Sequence, residues 1–255
     1  MAITDVNSDQ SQAAALPSVL MVLAGGYGTR LRSVVNAVPK PMADVAGKPF
    51  LSYLLDYWEK QKIARVILSV GYMGNIIQSY FGNRYRSLDI KYLVEETPLG
   101  TGGAVKLALS HFCSDLGPRF LLANGDTWFP TNIKKLCEDS ERLGSPITFS
   151  VKPLSNNDRY SGVELSKDGE VIKFDVSAKD SCYINAGCYL LTTDFLKTEF
   201  LRMPIKFSFE KWLAMNCERR GTLGASLQDY PFIDIGIPTD YHLAKEYFAK
   251  HRSKN

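Results

Sequence analysis

The sequence lacks the features of several common functional classes. It has no apolar run of about 18 residues, the length of a membrane-spanning helix, so we expect no membrane contact. Lys and Arg outnumber Asp and Glu by only 30 to 27, which is too small an excess to favour a nucleic acid partner. The three histidines lie in no Ser or Cys nucleophile context. Catalysis through imidazole is therefore not expected.

The use of cysteine indicates a reducing compartment. The five cysteines are odd in number and form no C-x-x-C pair, so we expect free thiols and no zinc site. Residues 1–17 lack the basic start and apolar centre of a signal peptide. We predict a disordered tail over 1–17 and a cytoplasmic protein. A homo-oligomer stays open, because the sequence shows no exposed apolar helix that would require one.

Hydrophobic patterning predicts an α/β protein. Short apolar runs such as 18–23 and 65–70 are typical of strands buried on both faces of a parallel sheet, and 49–61 has helical spacing. Their alternation predicts right-handed βαβ units. Between 147 and 191, closely spaced strand candidates predict antiparallel structure at the edge of the sheet. Without a Pro/Ser-rich linker, we expect one domain over 18–255, with halves 18–145 and 146–255.

A glycine-rich loop follows the first predicted strand. Gly25, Gly26 and Gly28 leave backbone N–H groups unshielded, so these groups can converge on phosphate oxygens. Arg30 adds a forked cation suited to β- and γ-phosphates, and Lys40 can reach back as a point charge. The spacing fits neither G-x-x-x-x-G-K-[ST] nor G-x-G-x-x-G. Taken alone, the three glycines are equally compatible with a simple turn.

Several stretches together resemble the sugar-phosphate nucleotidyltransferases, which make NDP-sugars. They are LAGGYGTRL, VPKPM, GKPFLSYLL, ETPLGTGGA, NGDT, INAGCYLL and FIDIGIPTDY, spread over 18–246. LRSVVNAVPKPM and PLGTGGA are most similar to the branch that uses D-glycero-α-D-manno-heptose 1-phosphate and GTP. The resemblance implies a doubly wound, Rossmann-like αβα core with an antiparallel, β-rich sugar-binding elaboration. It also implies Mg²⁺ and attack of a sugar 1-phosphate on the NTP α-phosphorus. The nucleotide-binding residues would be Leu23, Ala24, Gly25, Gly26, Gly28, Thr29, Glu95, Pro98, Gly100, Thr101, Asn124 and Gly125.

The chemistry agrees with the absence of a catalytic triad. A phosphate monoester is already an anionic nucleophile at neutral pH, so catalysis reduces to alignment and charge neutralisation. Arg30 and Lys40 are the predicted catalytic residues. Asp126 and Asp234 each follow an apolar run, where a parallel sheet presents its site residues, and each also suits a helix N-cap. Their match to the family's metal positions favours a Mg²⁺ site.

Glu95 departs from many relatives, which carry Gln at this position. A carboxylate only accepts hydrogen bonds, and guanine offers two adjacent donors, whereas uracil and thymine offer one donor flanked by carbonyls. We therefore expect Glu95, or failing it Glu96, to favour GTP. The alternative is an exposed acid that merely flanks a turn.

The sugar side is inferred from the resemblance alone. It places Gly162, Asn185, Gly187 and Glu210 in the sugar pocket, although Asn185 also suits a turn and Glu210 the start of a helix. Relatives usually carry F-x-E-K-P, whose lysine grips the sugar phosphate. Here Ser177 stands at that count, so Lys179 is the predicted substitute and Lys173 the alternative.

Three alternatives stay open. The sugar could be mannose or glucose 1-phosphate, and the nucleotide UTP or dTTP. A non-catalytic sugar-nucleotide-binding subunit is a further alternative, but such proteins usually lose the loop arginine, the PKP lysine or a metal carboxylate, and this chain keeps all of them.

Overall fold

A computed structural model describes residues 15–154, 160, 162–176 and 181–251 of the protein. Most of the predicted tail, together with Ser177 and Lys179, lies outside the described residues. The strands are β1 (Val19–Leu23), β2 (Asp44–Val45), β3 (Lys48–Pro49), β4 (Arg65–Val70), β5 (Arg84–Tyr85), β6 (Leu88–Val94), β7 (Arg119–Asn124), β8 (Thr127–Trp128), β9 (Ile147–Pro153), β10 (Gly162–Leu165), β11 (Val171–Val176), β12 (Tyr183–Thr192), β13 (Leu223–Leu227) and β14 (Ile233–Asp234). The helices are α1 (Phe50–Lys60), α2 (Gly74–Phe81), α3 (Gly100–His111), α4 (Cys113–Leu116), α5 (Ile133–Leu143), α6 (Thr193–Phe200), α7 (Phe209–Asn216) and α8 (Pro238–His251).

In the described part of the chain the main sheet has ten strands, of which the central four are parallel. Its order is β11-β10-β12-β7-β1-β4-β6-β5, and β9 and β13 join through β12. Strands β7, β1, β4 and β6 pair in parallel. The chain runs outward from β1 through β4 to β6 and then returns to the other side of β1 with β7. The switch in direction therefore lies between β1 and β7, and open α/β sheets bind ligands at the carboxyl ends of the strands flanking such a switch.

Alternating side chains of the central strands supply both layers of the core. In β1, Leu20 and Val22 pack in one hydrophobic cluster and Val19 and Met21 in the other. Helices α1, α5 and α8 contribute to the first cluster, and α3, α6 and α7 contribute to the second. This explains the continuous apolar runs in the sequence, and it confirms the doubly wound αβα prediction.

The second half adds antiparallel strands at the β7 side of the sheet. Strand β12 pairs antiparallel with β7, β9 and β10, as the close spacing of strand candidates predicts. One strand differs: β13 pairs with β9 in parallel. Helix α8 then returns to the first half, where the Tyr241 hydroxyl donates to the Asp44 carbonyl at 2.5 Å. No helix among the described residues is both long and apolar enough to span a membrane.

Candidate active site

A cavity of about 390 Å³ lies at the carboxyl ends of β1 and β7, at the switch point of the sheet. It brings together most of the residues singled out in the sequence. Its lining consists of Leu23, Ala24, Gly25, Gly26, Gly28, Thr29, Arg30, Lys40, Pro41, Glu95, Pro98, Gly100, Thr101, Ala104, Asn124, Asp126, Glu210 and Gly236. Among the predicted nucleotide-binding residues, only Gly125 is outside this lining. Its N–H donates to the Leu23 carbonyl at 2.9 Å and so fixes the end of β7 to the end of β1.

The glycine loop lines the cavity and packs against Lys40, which lines it too. Gly28 has a φ of +59°, and a β-carbon there would lie 2.9 Å from the β-carbon of Lys40. This position therefore requires glycine on two grounds, backbone conformation and close approach. Arg30 is exposed at the cavity, and no carboxylate among the described residues pairs with it. Its guanidinium is thus available to an anionic ligand.

Lys40 lies between the two predicted metal-binding carboxylates. Its Nζ is 2.6 Å from Asp126 Oδ2 and 3.5 Å from Asp234 Oδ1, and its side chain is only 10% exposed. Strand β14 pairs with β8 so that Asp234 faces Thr127, the residue after Asp126. Gly236 N–H donates to Asp234 Oδ1 at 2.7 Å and orients this carboxylate. The structure thus assembles one cation and two carboxylates beside the cavity, where Lys40 and Asp126 belong to the lining and Asp234 does not.

This pair of carboxylates fits Mg²⁺. The ion prefers one or two protein carboxylates completed by phosphate oxygens and water. In the described part of the chain, no group of three or more His, Cys, Asp or Glu residues could hold a metal on its own. Asp126 and Asp234 therefore suit an ion that arrives with a triphosphate better than a permanently caged one.

Glu95 is anchored through both carboxylate oxygens. Ser69 donates to Oε1 at 2.6 Å, and the Leu99 N–H donates to Oε2 at 3.0 Å. The carboxylate lines the cavity beside Gly25, where a β-carbon would lie 3.1 Å from Oε1. Glu96 is exposed and does not line the cavity. Of the two acids considered from sequence, only Glu95 is in place to contact a ligand.

The predicted sugar-binding residues divide into two groups. Glu210 lines the cavity, whereas Gly162 and Asn185 do not. Asn185 is used within β12, where its Oδ1 accepts from Gly187 N–H at 3.0 Å and its Nδ2 donates to the Tyr189 hydroxyl at 2.6 Å. Burial, and next the charge of Glu210, raise the pKa of Tyr189 far above its ordinary value, so this hydroxyl stays protonated.

Gly187 supports the cavity indirectly. It has a φ of +75°, and a β-carbon there would lie 2.7 Å from Asn124 Nδ2. It therefore leaves room for the Asn124 side chain, which lines the cavity. Lys179 lies outside the described residues. The alternative, Lys173, pairs instead with Glu164, at 3.0 Å, on the neighbouring strand.

Two supporting residues were missed in the sequence. Ser69, the fifth residue of β4, is 1% exposed and holds Glu95. Gly236 lines the cavity and orients Asp234. A small polar residue inside an apolar strand next to a sheet end is a usable signal for Ser69. Gly236 stands in the FIDIGIPTDY stretch, two residues after an acid, which is the spacing of a local side-chain turn.

Comparisons with known proteins agree with this geometry. The nucleotidyl transferase family model matches residues 19–248. A D-glycero-alpha-D-manno-heptose 1-phosphate guanylyltransferase of Aneurinibacillus thermoaerophilus is 40% identical over 231 residues, covering 89% of this chain and 96% of that protein. A protein of the same description from Campylobacter jejuni is 39% identical, covering 87% and 96%. The crystal structure of HddC from Yersinia pseudotuberculosis complexed with GMP-PN has a TM-score of 0.76 and 36% identity, covering 91% of this chain and 99% of that one.

The family match spans elements β1 to α8, including the glycine loop, Lys40 and both aspartates. Its agreement with the fold and with the cavity is therefore not limited to one motif. The chain is a member of the nucleotidyl transferase family and thus a nucleotidyltransferase.

Proposed function

We propose that the protein transfers GMP from GTP to D-glycero-α-D-manno-heptose 1-phosphate, releasing pyrophosphate and forming a GDP-heptose. The observation that supports guanine as the base is the position of Glu95, whose carboxylate is fixed at the cavity wall. Both oxygens keep acceptor capacity beyond the Ser69 and Leu99 bonds, so they can take N1–H and the 2-amino group of guanine. The two relatives near 40% identity, named for this reaction, support the sugar.

The reaction needs no general base. The sugar 1-phosphate brings its own anionic oxygen to the α-phosphorus, and pyrophosphate leaves with the electron pair of the broken P–O bond. The protein has to hold the two polyanions in line and neutralise their charge. In our proposal the glycine loop binds the triphosphate through backbone N–H groups, and Leu23, Ala24, Thr29, Pro98, Gly100 and Asn124 shape the nucleotide site around it.

Arg30 and Lys40 have different tasks in this scheme. Arg30 follows the glycine loop and is exposed at the cavity, so its charge suits binding of the departing pyrophosphate. Lys40 is almost buried and is held by Asp126 and Asp234. In our proposal its charge acts where the two substrates meet. Each contact of this kind typically controls about 10²–10³-fold in rate.

Asp126 and Asp234 would hold Mg²⁺. When bound, the ion supplies positive charge to the triphosphate oxygens. Lys40 lies between the same two carboxylates, so its single positive charge offsets part of their mutual repulsion. Glu210 would accept a hydroxyl of the sugar, and Gly162, Asn185 and Gly187 would support that side from β10 and β12. Lys179 stays the predicted partner of the sugar phosphate.

A single domain over 18–255 is also proposed, since α8 packs its Phe248 ring against Tyr53 of the first half at a centroid distance of 4.0 Å. The cytoplasmic location and the oligomeric state stay predictions from sequence.

A substrate matrix tests the proposed function. Pyrophosphate release is measured with Mg²⁺ for GTP, UTP, dTTP and ATP against heptose, mannose and glucose 1-phosphates. We expect the highest kcat/KM for GTP with D-glycero-α-D-manno-heptose 1-phosphate. A preference for another sugar with GTP would refute the heptose assignment alone, and a preference for UTP or dTTP would refute the role of Glu95. If no pair of substrates were turned over, the enzymatic function would be refuted and the non-catalytic sugar-nucleotide-binding subunit would be favoured.

A further inference from the structure

Helix α3 begins against a segment of the second half, residues 205–208. The N–H groups of Gly102 and Gly103 donate to the Phe207 carbonyl at 3.1 and 3.3 Å, and Phe207 N–H donates back to the Leu99 carbonyl at 3.0 Å. Free N–H groups at a helix N-terminus are the usual anion-binding groups of such loops. Here two of them are used by the chain itself. The start of α3 is therefore built to join the two halves and is less available to phosphate.

The glycines of the PLGTGGA stretch serve this junction. A β-carbon at Gly100, Gly102 or Gly103 would collide with Phe207 or Ile205. Gly100 also has a φ of +75°. These positions need glycine because residues 205–208 pass so close to the helix. The motif is thus explained by packing between the halves, and contact with a nucleotide is not required for it.

Thr101 lies at this junction, and in the described part of the chain its side chain hydrogen-bonds only to the second half. Its hydroxyl donates to Glu210 Oε2 at 2.5 Å, and its oxygen accepts from Phe209 N–H at 2.8 Å. The Ser208 hydroxyl donates to the same Oε2 at 2.8 Å. Two donors on one oxygen fix the carboxylate in a single orientation. Such charge-assisted bonds are stronger than neutral ones.

The other oxygen of Glu210 is left for a ligand. Among the described residues, none donates a hydrogen bond to Oε1, and Glu210 lines the cavity. A carboxylate with one oxygen fixed and the other presented to a cavity is well suited to a sugar hydroxyl, which is a donor of matching size. The fixed oxygen spares the side chain the entropy that it would otherwise lose on binding.

We propose that Thr101 is a positioning residue for the sugar 1-phosphate: its hydroxyl holds Glu210 so that Oε1 accepts one hydroxyl of the sugar. This rests on the proposed function, in which Glu210 contacts the sugar. It moves Thr101 from the nucleotide-binding set, where the sequence resemblance placed it, to the sugar side. It also makes residues 95–101 a shared segment, which reads the base through Glu95 and aligns the sugar through Thr101.

Three threonine variants test the assignment. Thr101→Val keeps the shape and removes the hydroxyl, and we expect KM for the sugar 1-phosphate to rise about tenfold or more while KM for GTP changes less than about threefold. Thr101→Ser restores the hydroxyl and should recover most of the loss. Thr97→Val is the matched control, because Thr97 is exposed in the same segment and does not line the cavity.

A second readout separates positioning from simple loss of structure. Monodeoxy analogues of the sugar 1-phosphate identify the hydroxyl that Glu210 accepts as the one whose removal lowers kcat/KM about tenfold or more in the wild type. In Thr101→Val the same missing hydroxyl should lower kcat/KM much less than it does in the wild type. In Glu210→Gln, adding Thr101→Val should have little further effect, because both changes remove one interaction.

Two outcomes would overturn the assignment. A rise in KM for GTP with an unchanged sugar KM would return Thr101 to the nucleotide site. Equal rises in KM for both substrates, with a lowered melting temperature and no rescue by Thr101→Ser, would show that Thr101 has a purely structural role. Affinity for the sugar 1-phosphate is also measured by calorimetry in the presence of a GTP analogue whose α–β bridge cannot be cleaved. If the wild type shows no turnover, the proposed function fails, and the affinity of Thr101→Val relative to wild type still decides the role of Thr101.

Discussion

Replacing Glu95 by Gln should move base preference from guanine towards uracil. The structure determines how the amide would sit. Leu99 N–H needs an acceptor, so the amide oxygen takes the Oε2 position, and the amide nitrogen faces the Ser69 hydroxyl, which can turn to accept. One of the two guanine donors then meets an N–H group and has no acceptor.

The magnitude follows from that lost bond. A hydrogen bond to a charged group contributes about 1.5–3 kcal/mol, so kcat/KM for GTP should fall about 10- to 150-fold. Uracil gains one bond, because the amide N–H can donate to a carbonyl beside its N3–H. That gain is about 0.5–1.5 kcal/mol, or roughly two- to tenfold. Together the GTP/UTP ratio should fall by about 20- to 1,500-fold.

The assay is continuous detection of pyrophosphate with GTP and UTP at a saturating sugar 1-phosphate. Glu96→Gln is the matched control, since Glu96 is exposed and outside the cavity, and its ratio should stay within about twofold of wild type. A Glu95→Gln variant that keeps the wild-type ratio would refute the reasoning. So would an equal loss for both nucleotides, because it would show that the carboxylate supports the loop without reading the base.

Three further predictions concern the cation, the glycine loop and the thiols. Lys40→Met should lower kcat/KM about 10²–10³-fold. Mg²⁺ should raise the melting temperature of this variant more than that of wild type, because the ion then no longer competes with Lys40 for Asp126 and Asp234; equal shifts in the melting temperatures of both proteins would contradict this. Gly28→Ala and Gly144→Ala both place alanine at a φ near +60°, which costs about 1–2 kcal/mol of stability. Gly28→Ala should cost more and should also lose activity, because its β-carbon meets Lys40, whereas open space surrounds Gly144. Burial raises the pKa of Cys188 to about 12, so alkylation at pH 8 should label exposed Cys182 quickly and Cys188 only after unfolding, as peptide mass spectrometry would show.

The parallel strands were the most predictable part of the fold. Strand β4 covers 65–70, the same residues that the sequence pattern predicts. A strand buried on both faces has a continuous apolar sequence, and here a glycine marks its end. Helix α6 was not predicted, because its sequence has no clear boundary with the preceding strand. It begins at Thr193, directly after β12 ends at Thr192, so no turn residue separates the two periodicities. Strand β13 escapes because LGASL, at Leu223–Leu227, is short and weakly apolar.

Local propensity and tertiary contact disagree at the start of α3. The sequence predicts a helix from about Gly103, since three glycines within four residues are poor helix formers. The structure begins the helix at Gly100, because residues 205–208 supply acceptors for its first N–H groups. Propensity is a weak prior, and here a contact from the other half of the chain overrides it.

The strand-end residues of the site could be predicted, but their long-range pairing could not. Asp126 and Asp234 could be identified from apolar runs that end in an acid, and the structure places both beside Lys40. The bond between Thr101 and Glu210 joins residues 109 positions apart and leaves no local pattern. The resemblance therefore assigned these two residues to different substrates.

Helix α8 bears on how the protein folds during synthesis. The Tyr241–Asp44 hydrogen bond spans 197 positions, and Phe248 packs against Phe50 and Tyr53 of α1. While the chain emerges from the ribosome, the α1 surface stays uncovered until helix α8, near the end of the sequence, has been translated. During that interval an apolar, aromatic face is open to other nascent chains, which makes this step a natural point for chaperone engagement. A message truncated before α8 would release a chain in which this aromatic face stays uncovered.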